Sequence, residues 1–372
     1  MPIARFVPWF TMVQSARMES TKTAHRKGRG DMKKAVSVLL LAAALFILVG
    51  WSPQQSAEKV GLGHVTSIAS SKDLVVDKNG KVTPPVAQVD TTMAAVAFDK
   101  AGRVIEVIID TAQTKVNFDK DLKVTSDLTA ENKTKIELGD GYGMRKASSI
   151  KKEWFEQIAA FEKWMVGKTV AEIKSLKVKQ RDASHPSVPD VPELTSTVTM
   201  TVQDYIAAVE EAYKNAVDVP AGAVKLGLGH DISTAKSKAA AAEVNLTIAA
   251  TMFDKDGKVV RTIIDTAQTK VPFDKDGKVA ADKAGEFKTK IELGDGYGMR
   301  KASSIKKEWF EQIAEFEKWM VGKTVAEIKS LKVKQRDASH PAVPDVPELT
   351  STVTVTVGDY IAAVAESYAN AK

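Results

Sequence analysis

The sequence contains no cysteine among its 372 residues. This absence excludes disulfide bonds, cysteine-ligated zinc or iron–sulfur centres and a thiol nucleophile. An excess of one charge is also missing from most of the chain. Residues 1–57 carry eight basic and two acidic residues, and subtracting these from the totals of 53 and 47 leaves 45 of each in residues 58–372. The body of the chain therefore lacks the basic surface of a nucleic-acid-binding protein.

Long hydrophobic runs are scarce, and the clearest one, at residues 35–50, follows Lys33 and Lys34. A basic pair followed by an apolar run of this length is typical of a secretory signal. The run is short for a membrane-spanning helix, which needs about 20 residues. We expect an extracytoplasmic protein with a leader in residues 1–57 and a translation start at Met32. If the leader is not cleaved, it anchors the protein to the outer face of the cytoplasmic membrane.

Most of the chain is one sequence written twice. Lys133–Thr199 recurs as Lys288–Thr354, 155 residues later, with 65 of 67 positions identical. A period of this length indicates duplicated domains and not a solenoid. We predict a first repeat at residues 58–216, a linker at 217–223 that contains Pro and Gly, and a second repeat at residues 224–372.

Each repeat combines strand and helix patterns. Residues 88–98 and 104–110 are rich in Val, Ile and Thr and flank a short Gly-containing loop, which predicts a β-hairpin. Residues 151–166 show helical spacing of large apolar side chains. Thr169 and Glu172 have the spacing of a capping box for a second, short helix. A final helix is predicted from about Val202 to Ala216. The fold class is therefore α+β, with two tandem copies of a small domain.

The usual metal-binding and catalytic motifs are weak here. Asp182 and His185, three residues apart, offer only two ligands and give no convincing metal site. The Asp-Lys-Asp-Gly-Lys loops lack the closing glutamate of a calcium loop, and hairpin turns explain them. We predict no catalytic residue and no resident metal, and we expect a binding or electron-transfer protein in preference to an enzyme.

The run Thr195–Thr201, just before the final helix, leaves two interpretations open. Its hydroxyls and the unpaired N–H groups of the helix N-terminus could form an anion pocket. It could instead be a β-strand that ends in an N-cap at Thr201, with Asp204 completing the capping box.

The order of these features resembles the FMN-binding domain family, the extracytoplasmic flavin domains of sodium-pumping NADH:quinone reductases and related electron-transfer lipoproteins. Phe98–Val107 matches the family's hairpin, and residues 135–143 match its Glu-Thr/Leu-Gly loop. Ser196-Thr197-Val198-Thr199 stands where the family has Ser-Gly-Ala-Thr, whose threonine can carry FMN through a phosphoester bond. Thr197 and Val198 are bulkier than the Gly-Ala pair that they replace.

The resemblance implies an FMN-binding electron carrier with one flavin site in each repeat and a redox partner protein that the sequence does not identify. It places the phosphate near one set of residues, namely Ser196, Thr197, Thr199, Ser351, Thr352 and Thr354. It places the flavin ring near a second set, namely Gly139, Tyr142, Gly294 and Tyr297. The alternative is a cofactor-free surface binding or structural module that kept the scaffold and lost the flavin site.

Overall fold

The computed structural model describes residues 56–372, which form one compact unit. The predicted leader, the start at Met32 and the membrane anchor lie outside these residues. Within the described part of the chain, no helix is long and apolar enough to cross a bilayer. Both repeats mix helices with antiparallel sheets, which confirms the α+β class.

The first repeat and the segment after it contain, in chain order, β1 (Lys59–Ser67), β2 (Val75–Val76), β3 (Val82–Thr83), β4 (Val86–Phe98), β5 (Val104–Asn117), α1 (Lys135–Leu138), α2 (Trp154–Met165), α3 (Val170–Lys174), β6 (Val178–Lys179), β7 (Val188–Pro189), α4 (Pro192–Thr195), α5 (Gln203–Lys214) and β8 (Val217–Asp218). The second repeat contains β9 (Lys225–Ser233), β10 (Ala241–Phe253), β11 (Val259–Pro272), α6 (Lys290–Leu293), α7 (Trp309–Met320), α8 (Val325–Lys329), β12 (Val333–Lys334), β13 (Val343–Pro344), α9 (Pro347–Thr350) and α10 (Gly358–Ala369).

The predicted hairpin and helices are present. β4 and β5 pair as an antiparallel hairpin, and α2 occupies most of the predicted residues 151–166. α2 begins three residues late because Lys151 has a positive φ of 55° and Glu153 is the N-cap, whose amide donates to Oε2 of Glu156 at 2.8 Å. The Thr169–Glu172 capping box is present at the start of α3.

The segment before α5 is not a strand, so that interpretation is wrong. Residues 192–195 form the short helix α4, and the chain then runs without regular structure to α5. The N-cap of α5 is Val202 and not Thr201, and no side chain caps this end of the helix. Thr201 precedes the N-cap by one residue, so its hydroxyl does not cap the helix.

The predicted linker contributes a strand to the first sheet. β8 pairs with β1 at Lys59 and Val60, so the sheet order is β5-β4-β1-β8. The second sheet has the order β11-β10-β9.

Both faces of β4 are buried. Ala94, Val96 and Phe98 join the core that the sheet forms with α2 and α5. The alternate residues Met93 and Ala95 join a second core, shared with Ile248 and other residues of the second sheet. Because successive side chains of a strand point to opposite faces, each sheet has helices on one side and the other repeat's sheet on the other. The two repeats therefore share a hydrophobic core and are not structurally independent domains.

Two glycines let α5 lie directly on β1. A Cβ atom at Gly61 would be 1.8 Å from the carbonyl oxygen of Ala212, and one at Gly63 would be 2.0 Å from that of Ala208. The motif Gly61-Leu62-Gly63-His64, which recurs at residues 227–230, is therefore a packing motif.

Candidate functional site

One predicted site residue, Tyr142, lines a cavity of about 600 Å³ within the first repeat, which we call the Lys135 pocket. Its lining includes Lys135 at the start of α1, Tyr142 after α1, Thr201 just before α5 and Asp204 in the first turn of α5. The two segments that the sequence marks are thus brought to one cavity. Its volume lies within the range of about 300–1,000 Å³ that is usual for small-molecule sites.

Aromatic rings form one wall of the Lys135 pocket. Trp154 is buried and donates its indole N–H to the Tyr205 hydroxyl at 2.8 Å. Tyr142 donates its hydroxyl to Oε1 of Gln113 at 3.1 Å. The Lys135 ammonium lies 5.1 Å from the Tyr142 ring centroid and 5.3 Å from that of Trp154. These distances are typical of cation–π contacts.

Burial changes the proton affinity of the charged groups in this pocket. Burial lowers the pKa of Lys135 to about 8, although the carboxylates of Asp90, Asp110 and Asp204 oppose the shift. Burial and the neighbouring Asp90 raise the pKa of Asp204, and Lys135 opposes them. One cationic donor and two carboxylate acceptors therefore stand beside an aromatic wall.

The Thr201 hydroxyl is a buried polar atom with no hydrogen-bond partner among the described residues, and so is the equivalent Thr356 hydroxyl. A buried polar group without a partner costs about 1–3 kcal/mol. Thr201 lines the Lys135 pocket, so a ligand there would supply the missing partner.

The residues predicted to hold a phosphate are engaged elsewhere. Thr199 donates its amide and its hydroxyl to Oε1 of Gln157, at 2.8 and 3.2 Å, and Thr197 donates its hydroxyl to the Leu194 carbonyl at 3.2 Å. Ser196 is exposed at the end of α4.

The second repeat repeats this pattern. Thr354 donates to Gln312 at 2.8 and 3.2 Å, Thr352 donates to the Leu349 carbonyl at 3.3 Å, and Ser351 is exposed.

The residues predicted near the flavin ring divide between two places. Tyr142 lines the Lys135 pocket, but Gly139, with a φ of 49°, lines a different cavity between the repeats. In the second repeat, Gly294 has a φ of 50° and the Lys290 ammonium lies 5.2 Å from the Tyr297 ring centroid.

Two further cavities lie between the repeats. The Arg261 cavity, of about 450 Å³, is lined by Leu62 and His64 of the first repeat and by Arg261 and Glu317 of the second. In the Lys372 cavity, of about 510 Å³, the two repeats exchange these roles. Its lining includes Leu228, His230 and Lys372 of the second repeat, and Asp110 and Glu162 of the first.

The strand register explains why a histidine reaches each inter-repeat cavity. His64 pairs with Met93, which pairs with Asp110, so these three residues form one row on the face that meets the other sheet. His230 pairs with Ile248, which in turn pairs with Asp265 in the second sheet. Cross-strand pairs share a face, so both histidines point toward the opposite repeat.

Each histidine lies between two carboxylates, one from each repeat. Nδ1 of His64 is 3.0 Å from Oε1 of Glu211, and its Nε2 is 3.4 Å from Oε2 of Glu292. Nδ1 of His230 is 3.1 Å from Glu366, and its Nε2 is 3.1 Å from Glu137.

Burial lowers the pKa of His64, but its hydrogen bond with Glu211 and the charges of Glu211, Glu292 and Asp265 outweigh burial, so the net pKa is raised. The pKa of His230 is raised in the same way, by Glu137, Glu366 and Asp110.

These two groups of three have the residue types and proximity of metal ligands. Their geometry favours a proton over a metal. The two carboxylates of each group face opposite nitrogens of one ring, and a metal bound to one nitrogen would be turned away from the carboxylate at the other. A doubly hydrogen-bonded imidazolium fits the arrangement directly.

Comparison with known proteins gives one partial match. A chlorophenol reductase from Desulfitobacterium hafniense is 34% identical over 107 residues, which cover 26% of this chain and 33% of that protein. The match thus spans only about a third of the relative's length. No family model and no solved structure matches this chain.

Proposed function

We propose that the protein is an extracytoplasmic electron carrier that binds a flavin, FMN, in each repeat. The observation that carries the proposal is the meeting of residues 135–143 with the start of α5 in one cavity, the Lys135 pocket. Residues 135–143 are one of the segments on which the resemblance to FMN-binding domains rests, and the start of α5 directly follows another, Ser196–Thr199. The matched relative is named a reductase, which is in keeping with redox chemistry.

The residues of the Lys135 pocket suit the parts of a flavin. Trp154 and Tyr142 offer aromatic surface to its ring system, and Asp90 and Asp204 offer acceptors for the hydroxyls of its ribityl chain. Lys135 and the unpaired Thr201 hydroxyl are the donors left for a phosphate. Thr199 is bonded within the fold, so we propose noncovalent binding.

The flavin itself supplies the one- or two-electron chemistry when it is bound. The chain has three tasks. The aromatic wall keeps water from one side of the cavity, Lys135 places positive charge beside it, and the carboxylates orient the ligand. Lys135, with a pKa of about 8, also exchanges protons near neutral pH. Electrons would pass to a redox partner protein, at the membrane if the leader remains attached.

The alternative is a cofactor-free binding or structural module. It is favoured by one observation, namely that Thr197, Thr199, Thr352 and Thr354 direct their hydroxyls into the fold.

The absorbance spectrum of protein purified from its native cells separates the two proposals, because a bound flavin absorbs visible light. When FMN is added to the flavin-free full-length protein, we expect binding to quench the fluorescence of FMN. Lys135→Gln and Thr201→Val should each weaken FMN binding at the first-repeat site by about tenfold, as expected for the loss of one charged or buried hydrogen bond, and leave the second-repeat site unchanged. Thr197→Val, which alters a hydroxyl outside the pocket, is the matched control. A colourless native protein that quenches no FMN at micromolar concentration would favour the cofactor-free module.

A further inference from the structure

The Arg261 cavity has apolar walls drawn from both repeats. Leu62 comes from the first repeat and Val217 from β8, and the apolar side chains from the second repeat are Ile248, Ile263, Ile291, Phe310, Ile313, Ala314 and Val321. A cavity of about 450 Å³ with such walls accommodates a ring or a short hydrocarbon chain. Burial of an apolar group here would be favourable in proportion to its area.

The residues that line this cavity include a buried donor without an acceptor. Nε of Arg261 is buried and has no hydrogen-bond partner among residues 56–372. A buried charged donor is expected to be paired, so an unpaired one at a cavity wall indicates a missing acceptor.

Glu317 lies in the same wall as Arg261. It accepts the Ile264 amide at 2.7 Å through Oε1. Burial raises the pKa of Glu317 to about 8, although the Ile264 hydrogen bond and Arg261 oppose the shift, so at neutral pH its carboxyl carries a proton that it can donate.

The Lys372 cavity shows that the unpaired arginine is specific to one half. The position equivalent to Arg261 is Glu106 in the first repeat. There Glu162, the equivalent of Glu317, receives the Lys372 ammonium at 2.8 Å. Within residues 56–372, an ammonium group thus pairs with the glutamate in one cavity, whereas in the other Nε of Arg261 has no hydrogen-bond partner, although the charge of Arg261 lowers the pKa of Glu317.

We propose that the Arg261 cavity binds a small apolar monocarboxylate, whose carboxylate accepts hydrogen bonds from Arg261 and Glu317 and whose hydrocarbon fills the apolar walls. The lining of the cavity also includes Glu211 and Asp265, which lie near His64. A second carboxylate on the ligand would meet these acidic groups, so the site selects monocarboxylates over dicarboxylates. This proposal is independent of flavin binding, since the Lys135 pocket shares no residue with the Arg261 cavity.

Calorimetric titration of the full-length protein with benzoate tests the proposal. We expect one benzoate per chain, no saturable binding of benzyl alcohol, and weaker binding of phthalate. Arg261→Gln should weaken benzoate binding by at least about tenfold, the expected effect of losing a charge-assisted hydrogen bond. Glu106→Gln, at the equivalent position of the other repeat, is the matched control and should leave the affinity unchanged.

The dependence on pH gives a second, separate measurement. Benzoate affinity should fall as the pH rises through about 8, because a deprotonated Glu317 repels the ligand. Glu317→Gln keeps a donor and should bind benzoate with little change above pH 8. The charged groups that also face the cavity are Arg261 and Asp265 of β11, Lys318 of α7, Glu211 of α5 and His64 of β1.

Circular dichroism and the thermal midpoint show whether each variant is folded. We take a Kd of about 10 mM as the weakest affinity of a specific site. If benzoate at that concentration does not bind, the proposal is overturned. A stoichiometry of two, or equal affinities of Arg261→Gln and the parent, would also overturn it.

Discussion

The two inter-repeat cavities differ far more than the sequences of the two repeats suggest. The duplicated stretch, residues 133–199 and 288–354, supplies nearly the same helices to both. The differences come from the strands and the chain end. The second repeat has Arg261 at the position of Glu106 in the first. Lys372 donates to Glu162, whereas Val217, the residue of the first repeat that is equivalent to Lys372, has no charge. Identity between copies therefore does not imply equivalence of sites when each site also takes residues from the other copy.

The intra-repeat pocket shows the same lesson on a smaller scale. Lys135 and Lys290 are equivalent, and burial lowers the pKa of each to about 8. The strand residue Asp90 is replaced by Asn245, and Ser70 is replaced by Lys236. The charge of Lys236 contributes to lowering the pKa of Lys290. The sequence predicts equal affinities at the two sites because the loops are identical, whereas the residues that tune charge lie on the strands.

The largest expected effect tests whether the repeats unfold together. Trp154→Ala and Trp309→Ala should each lower the free energy of unfolding by about 3–5 kcal/mol, because each removes a fully buried ring that also donates to a tyrosine. Since the sheets share a core, we expect one unfolding transition in both variants. Urea unfolding followed by circular dichroism measures this, with the exposed Val166→Ala as control. Two separate transitions would show that the repeats are independent.

Removing the terminal lysine should make the two cavities more alike. Lys372→Ala leaves Glu162 without its ammonium partner, so we expect a loss of about 1–2 kcal/mol of stability at neutral pH, reduced from the full cost of a buried unpaired group because Lys372 is half-exposed. Burial raises the pKa of Glu162, and Lys372 opposes that shift in the parent protein. Without Lys372 the pKa of Glu162 should therefore rise further. Chemical denaturation at pH 5 and pH 8 measures the difference. An equal loss at both values would contradict the role of the charge.

The histidines predict how the contact between repeats depends on pH. Their folded pKa values are raised, so their stabilisation is fully present below the unfolded pKa of about 6.5 and is lost as the pH rises through the folded pKa. His64→Gln and His230→Gln should each remove about 1 kcal/mol at pH 6, a typical value for a hydrogen bond to a charged group that is partly open to solvent. At pH 9 each variant should match the parent closely. A pH-independent difference would mean that the rings act only by packing.

The smallest effect concerns the two lysines. Lys236→Ala should raise the pKa of Lys290 and slow its acylation at pH 7.5, because the neighbouring charge is removed. Lys135 should react at an unchanged rate, since Ser70 stands at the equivalent position. Quantitative mass spectrometry of lysines after brief acetylation reports both rates. A change at Lys135 would indicate a global rather than a local effect.

The sequence predicts what depends on near neighbours in the chain. The β4–β5 hairpin, α2 and the capping box of α3 follow from local periodicity and turn chemistry, and the structure confirms them. Contacts between distant segments are beyond such patterns. Nε2 of His64 lies 3.4 Å from the carboxylate of Glu292, which is 228 residues later in the chain, and Arg261 lines the same cavity as Leu62.

One signal for the inter-repeat contacts was present in the sequence. The Gly-Leu-Gly-His motif occurs in both copies, and it marks a strand on which a helix packs closely. That pattern does not reveal that the histidine faces a second sheet, because the second sheet belongs to the other copy. The predicted N-cap at Thr201 is wrong by one residue, because α5 begins after Val202 with a turn that no side chain caps.

The crossed contacts of the two histidines have a consequence for the history of the chain. Each half gives a histidine to the other and receives one back, which is the contact pattern of an isologous interface. A single-copy ancestor with these residues would have associated as a C2 homodimer. In that homodimer, any substitution appears twice, once on each side of the axis. Fusion of the two copies removed this constraint, so position 261 could hold an arginine while the equivalent position 106 holds a glutamate.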